Sequence, residues 1–138
     1  MDRIGVAFSG GLQPPEIVEC IQLADQLGYE SAWIAEGHGG DQFSILTACA
    51  LKTEKVLLGT SITSVFVRSA PTIAMAAASV DHFSNGRFVL GLGTSHKVQV
   101  GPEHGLVFSQ AVPRLKECVE IVRTLLRDGE VSYQGEVY

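Results

Sequence analysis

Four short stretches of this 138-residue chain gather the groups that could do chemistry. They are Ser9-Gly10-Gly11; Glu36-Gly37-His38-Gly39-Gly40-Asp41; Thr60, Thr63 and Ser64 with Arg68 just beyond; and Thr94-Ser95-His96-Lys97 with Gln99. Hydroxyls, a carboxylate and imidazoles set among glycines suit a pocket that holds a polar ligand and moves a proton. They do not suit a metal: His38, His82, His96 and His104 show neither HxxxH nor HExxH spacing. Nucleophilic hydrolysis lacks its GxSxG elbow. Gly91-Leu92-Gly93 begins like a dinucleotide fingerprint, but His96 stands where the third glycine belongs. The acidic residue that should follow on a strand end, Glu117, falls inside a helical pattern instead. Plainer roles exist for some of these groups. Glu36 and Asp41 flank a helix start, where an acid offsets the positive end of the macrodipole. His38 suits a surface turn, His82 a structural position and His104 a loop.

The elements that must place these groups alternate strand and helix. "IGVAF" (4–8) is a short apolar run, and Pro14-Pro15 then opens a helix whose Ile17, Val18, Ile21, Ala24 and Leu27 recur at helical spacing. "SAWIAE" (31–36) predicts the second strand. Asp41 caps a second helix bearing Phe43, Ile45, Leu46, Ala50 and Leu51. "KVLLGTSITSV" (55–65) predicts the third strand, and an Ala-rich helix follows from Ser69-Ala70-Pro71 to Asn85-Gly86. "RFVLGLG" (87–93) predicts the fourth strand. Leu115, Val119, Val122 and Leu126 mark the apolar face of a last helix, with Pro113 near its start and Gly129 past its end. "VSYQGEVY" closes the chain as an extended piece or hairpin. The strands are near-continuous apolar runs, as burial on both faces produces, so a parallel sheet covered by helices is expected. Function in such folds sits at the carboxyl ends of strands, which is where the four polar stretches fall.

Composition narrows the partners. A net charge of -5 argues against nucleic acid, which needs clustered Lys and Arg. No apolar stretch approaches the roughly 18 residues of a membrane span, and the start shows no long apolar leader, so a cytoplasmic location is expected. Cys20, Cys49 and Cys118 lie far apart and read as small buried hydrophobes rather than disulfide or zinc ligands.

Three stretches carry a family resemblance: "ADQLGYESAWIAEGHGGDQFSILTACAL", "LLGTSITSVFVRSAPTIAMAAASVDHFSNGRFVLGLGTSHKVQV" and "PRLKECVEIVRTLL". In order and spacing they resemble the N-terminal half of the bacterial luciferase-like flavin monooxygenase family. Within it they are most like the branch of methylenetetrahydromethanopterin reductase, which uses the deazaflavin coenzyme F420. The resemblance implies an α/β fold of the TIM (β/α)8-barrel family, here about the first four βα units, with 1–138 as one luciferase-like domain and the start of a longer barrel. It implies an oxidoreductase that passes a hydride between F420 and a small organic substrate. Alternatives are an FMN-dependent monooxygenase activating O2 and a non-catalytic half barrel acting as a binding or assembly module. Coenzyme contacts are expected from Ser9, Thr63, Ser64, Val65, Gly93, Thr94, Ser95 and His96, with a non-proline cis bond at Ser64–Val65 backing the ring. Glu36 or His38 is expected to exchange the accompanying proton, and no metal is expected. An incomplete barrel leaves a sheet edge open, so a homo-oligomer or the missing second half is the expected protein partner.

Overall fold

Residues 3–138 are described by a computed structural model. In chain order the elements are β1 (Gly5–Phe8), α1 (Pro14–Gln26), β2 (Ser31–Ile34), α2 (Gln42–Ala50), β3 (Leu57–Thr60), β4 (Thr63–Ser64), α3 (Ala70–Ser84), β5 (Phe88–Val89), β6 (Leu92–Gly93), α4 (Lys97–Val100) and α5 (Ala111–Asp128). They fall into two compact units. One comprises the chain up to Ile62 together with Ala77–Gly91, the other Thr63–Ala76 with Leu92–Tyr138.

The first unit is a parallel sheet in the order β1-β2-β3-β5. Parallel neighbours need long crossovers, and α1 and α2 supply them. Both helices start where the sequence says they should. Glu16 accepts from the Gln13 backbone at 2.7 Å, and Asp41 accepts from both the amide and the hydroxyl of Ser44 at 2.8 Å. Ile17, Ile21 and Leu46 on the helices are fully buried, as are Ala32 and Leu58 in the sheet.

Two charged side chains fasten this unit through backbone and hydroxyl partners. Arg87 uses all five of its donors: on the Ser84 carbonyl (2.8 Å), the Thr53 hydroxyl (3.0 Å) and the carbonyls of Val56 (2.8 Å), Ala50 (3.2 Å) and Thr53 (3.0 Å). It therefore ties the end of α2, the loop after it and the end of α3 to one point. Asp25, in the last turn of α1, accepts from the amides of Glu54 (3.0 Å), Lys55 (2.8 Å) and Val56 (2.6 Å). Burial opposes its ionisation, but the three amides and the nearby Arg87 charge outweigh that and hold its pKa below the ordinary 3.8.

The second unit pairs β4 with β6 in parallel, Thr63 opposite Leu92 and Ser64 opposite Gly93. Val65, Ile73, Val100, Cys118 and Val122 form its buried core.

Several expectations need correction. The third strand is not continuous over 55–65: the amides of Lys55 and Val56 are taken by Asp25, and the strand breaks at Ser61-Ile62. The fourth breaks at Leu90-Gly91, and the second ends at Ile34 rather than Glu36. Burial on both faces fails: Gly5 and Ala7 of β1 and Leu57 of β3 are exposed, and Gly5 and Leu57 stand in register with Ser31 on one face of the sheet. On α5 the buried residues are Glu117, Cys118, Ile121 and Val122, whereas Leu126 is exposed. That face is displaced because the Glu117 carboxylate finds backbone donors and can be buried. Cys20 is exposed on the flank of α1. Every peptide bond among the described residues is trans, so Ser64–Val65 is not a cis bond. Residues 130–138 form neither strand nor hairpin ladder, only a turn in which Gly135 donates to the Tyr138 carbonyl at 2.8 Å.

Arg87→Ala strands part-buried carbonyls in three segments and is expected to cost about 2–4 kcal/mol in urea unfolding. Arg87→Lys should recover only part of this, since an ammonium cannot span the same fork. The Asp25 pKa is depressed, so its contribution to stability is present above 3.8 and lost as pH falls through the lower folded value. Asp25→Asn should therefore weaken the protein at neutral pH and flatten the fall in stability below about pH 4, read from unfolding curves between pH 2 and 7.

Candidate functional site

In the first unit the ends of β1 and β2 lie side by side, since the two strands pair from Gly5 with Ser31 to Phe8 with Ile34. The loops that follow stay close. A Cβ placed on Gly37 would reach within 3.8 Å of the Ser9 carbonyl, and one on Gly39 within 3.4 Å of the Gly10 Cα. Ser9, Glu36 and His38 are thus brought to one end of one sheet, Glu36 half-buried and Ser9 and His38 exposed. Asp41 is committed to capping α2.

The end of β3 is pinned to the segment after β5 by one side chain. The Thr60 hydroxyl donates to the Gly91 carbonyl at 2.9 Å and accepts from the Gly91 amide at 2.8 Å. A Cβ at Gly91 would overlap the Thr60 carbonyl oxygen, so only glycine permits this approach.

In the second unit Thr63, Ser64 and Val65 are buried, and the Val65 amide donates to the Gly93 carbonyl at 3.0 Å. These residues form a wall beside the ladder end. Thr94 and Ser95 are half-buried and His96 is exposed. Ser95 holds a left-handed backbone at φ 59°, and its hydroxyl lies 3.2 Å from the Gln99 Oε1. A serine kept in that conformation is strained, and such strain clusters at functional sites. His96 is the N-cap residue of α4, a four-residue helix that no periodicity in the sequence marks.

Sequence spacing did not single out the residues behind this wall. The Tyr138 hydroxyl donates to the Val65 carbonyl at 3.4 Å. The Arg114 guanidinium lies 4.8 Å from the Phe66 ring centroid and 5.5 Å from that of Tyr138. Glu117 accepts from the amides of Glu136 (2.8 Å), Val137 (3.0 Å) and Tyr138 (3.1 Å). The one available signal is an acidic residue on the apolar side of an amphipathic helix.

Thr94 and Ser95 offer hydroxyls beside a buried apolar-and-hydroxyl wall, and no group of three His, Cys, Asp or Glu among the described residues could hold a metal ion. Hydroxyls of this kind can hydrogen-bond the polar edge of a bound ring. The buried thiols are poor nucleophiles: burial pushes Cys49 up to about 12 and raises Cys118 as well. No helix among the described residues is long and apolar enough to cross a membrane.

Comparison with known proteins agrees with this architecture. The chain is 31% identical over 137 residues to 5,10-methylenetetrahydromethanopterin reductase of Archaeoglobus fulgidus, which covers 99% of this chain and 41% of that protein. It is 32% identical over 144 residues to an F420-dependent glucose-6-phosphate dehydrogenase of Intrasporangium calvum, covering 91% and 42%. Among solved structures, the coenzyme F420 dependent tetrahydromethanopterin reductase from Methanopyrus kandleri superposes with a TM-score of 0.87 at 26% identity, over 96% of this chain and 42% of that one. The chain thus spans about two-fifths of the length of these relatives. Its parallel α/β arrangement is that of the N-terminal part of their TIM-barrel fold. The model of one family, luciferase-like monooxygenase, matches residues 2–138, and the chain belongs to that family.

Proposed function

We propose that this chain is the N-terminal, coenzyme-facing part of an F420-dependent oxidoreductase that exchanges a hydride with a small organic substrate. The observation that carries the reading is the ordered similarity to F420-dependent enzymes along almost the whole chain, with hydroxyl and glycine segments at its strand ends. On this reading the 138 residues act as one luciferase-like domain in the cytoplasm. Further βα units, from the same polypeptide or a second copy, complete the barrel over exposed Ala7, Leu57 and Val89.

The coenzyme, when bound, supplies the hydride chemistry. The chain's own task is to hold its partner reactants close and keep water out. Thr63, Ser64 and Val65 give a dry backing wall, Gly93 leaves room beside it, and Thr94, Ser95 and His96 offer donors at its rim. In the first unit, at the end of β1, the family resemblance assigns a coenzyme contact to Ser9. In the same unit, at the end of β2, the family resemblance assigns exchange of the accompanying proton to Glu36 or His38. The family's description as luciferase-like monooxygenase favours a second reading, FMN with O2 as oxidant.

Fluorescence titration of the protein with F420 and, separately, FMN decides between these. Binding of F420 in preference to FMN is the expected result. Preference for FMN with O2 consumption favours the second reading, and binding of neither overturns both and leaves an assembly module. In the F420-bound protein, Glu36→Gln combined with His38→Asn should lower turnover about 10²–10⁴-fold without changing the coenzyme Kd.

A further inference from the structure

We infer that Arg114, Glu117 and Tyr138 are positioning residues that hold the Thr63–Val65 backbone in place, an inference that rests on the coenzyme reading above. A two-residue ladder such as β4 with β6 is too short to be rigid by itself. Val65 accordingly has a second anchor. Its amide is held by the Gly93 carbonyl at 3.0 Å, and its carbonyl receives the Tyr138 hydroxyl at 3.4 Å.

Tyr138 is itself fixed in two ways. Its ring shares the Arg114 guanidinium with Phe66, and Phe108 stacks on Phe66 with centroids 4.8 Å apart and planes inclined by 18°. Its backbone is fixed by Glu117, whose buried carboxylate collects three successive amides, 136 to 138. The chain passes so close to this carboxylate that a Cβ on Gly135 would lie 2.5 Å from its carbon. Burial disfavours the charge on Glu117, but the three amides and the adjacent Lys116 lower its pKa, so it stays ionised.

Stability alone does not account for the choice of residues. The Arg114 Nε is buried with no hydrogen-bond partner among the described residues, a cost that a packed apolar side chain would avoid. What the guanidinium does provide is a flat cation between two rings, with Phe66 immediately following Val65. The chain's last turn therefore acts as a strap across the back of the wall.

Hydrogen exchange of the uncomplexed protein tests this, with Glu117→Gln and the milder Tyr138→Phe compared with the parent. Asp25→Asn serves as the control because it weakens the other unit. Amides 63–66 are expected to exchange about tenfold faster in Glu117→Gln, less so in Tyr138→Phe, with β1 and β2 unchanged. The F420 Kd should rise in the same order at a temperature where all variants are folded. Unchanged exchange at 63–66 in Glu117→Gln overturns the inference, as does an equal change in Asp25→Asn. So does a loosened segment with an unchanged Kd. If the parent itself fails to bind F420 while the exchange pattern is as expected, the strap stands and the coenzyme reading falls.

Discussion

The reciprocal hydrogen bonds between the Thr60 hydroxyl and the Gly91 backbone decide where two strands leave their sheet. Inside a ladder each amide and carbonyl would face a backbone partner. At Gly91 a single side chain replaces that partner, donating to the carbonyl at 2.9 Å and accepting from the amide at 2.8 Å. β3 therefore ends at Thr60 and β5 two residues before Gly91, and the segments carrying Thr63–Val65 and Leu92–His96 start immediately afterwards. A residue with a Cβ at 91 would push the two chains apart. Where β3 and β5 end follows from this one bracket.

The same solution recurs wherever the chain must be fixed outside a ladder. Asp25 gathers three amides of the loop before β3, and Glu117 gathers three amides near Tyr138. Arg87 covers four carbonyls and a hydroxyl. Charge-assisted bonds of this kind are stronger than neutral ones and do not depend on a second long side chain holding its place. Surface ion pairs, by contrast, add little; Arg3 with Glu30 joins side chains that are 85% and 34% exposed.

The pattern of the sequence is a good guide where local chemistry decides the outcome. Pro14-Pro15, Asp41 and Asn85-Gly86 mark helix ends correctly, because caps and turns depend on neighbouring residues. It misleads where distant groups intervene. Residues 55–65 look like one apolar strand, yet Asp25, some thirty positions earlier, takes the first amides and Thr60 closes the ladder to Gly91. The buried face of α5 is misplaced because an acidic residue is read as solvent-facing, and only the fold brings three amides to it. The polar residues after β1 and β6 were legible, since Ser9 and Thr94 follow their apolar runs directly. The Arg114–Tyr138 support was not, because its members are joined only through the folded chain.

The functional account depends on the strand ends being held by side chains rather than by ladders, so Thr60 is its most exposed point. Urea unfolding of Thr60→Val, nearly the same shape without the hydroxyl, measures this directly, with Thr60→Ser as the partner that keeps the oxygen. Thr60→Val should lose about 1–3 kcal/mol because two Gly91 backbone groups are left without a partner, and Thr60→Ser should retain most of the parent stability. Equal stability of Thr60→Val and the parent, or equal losses in both variants, would contradict the account.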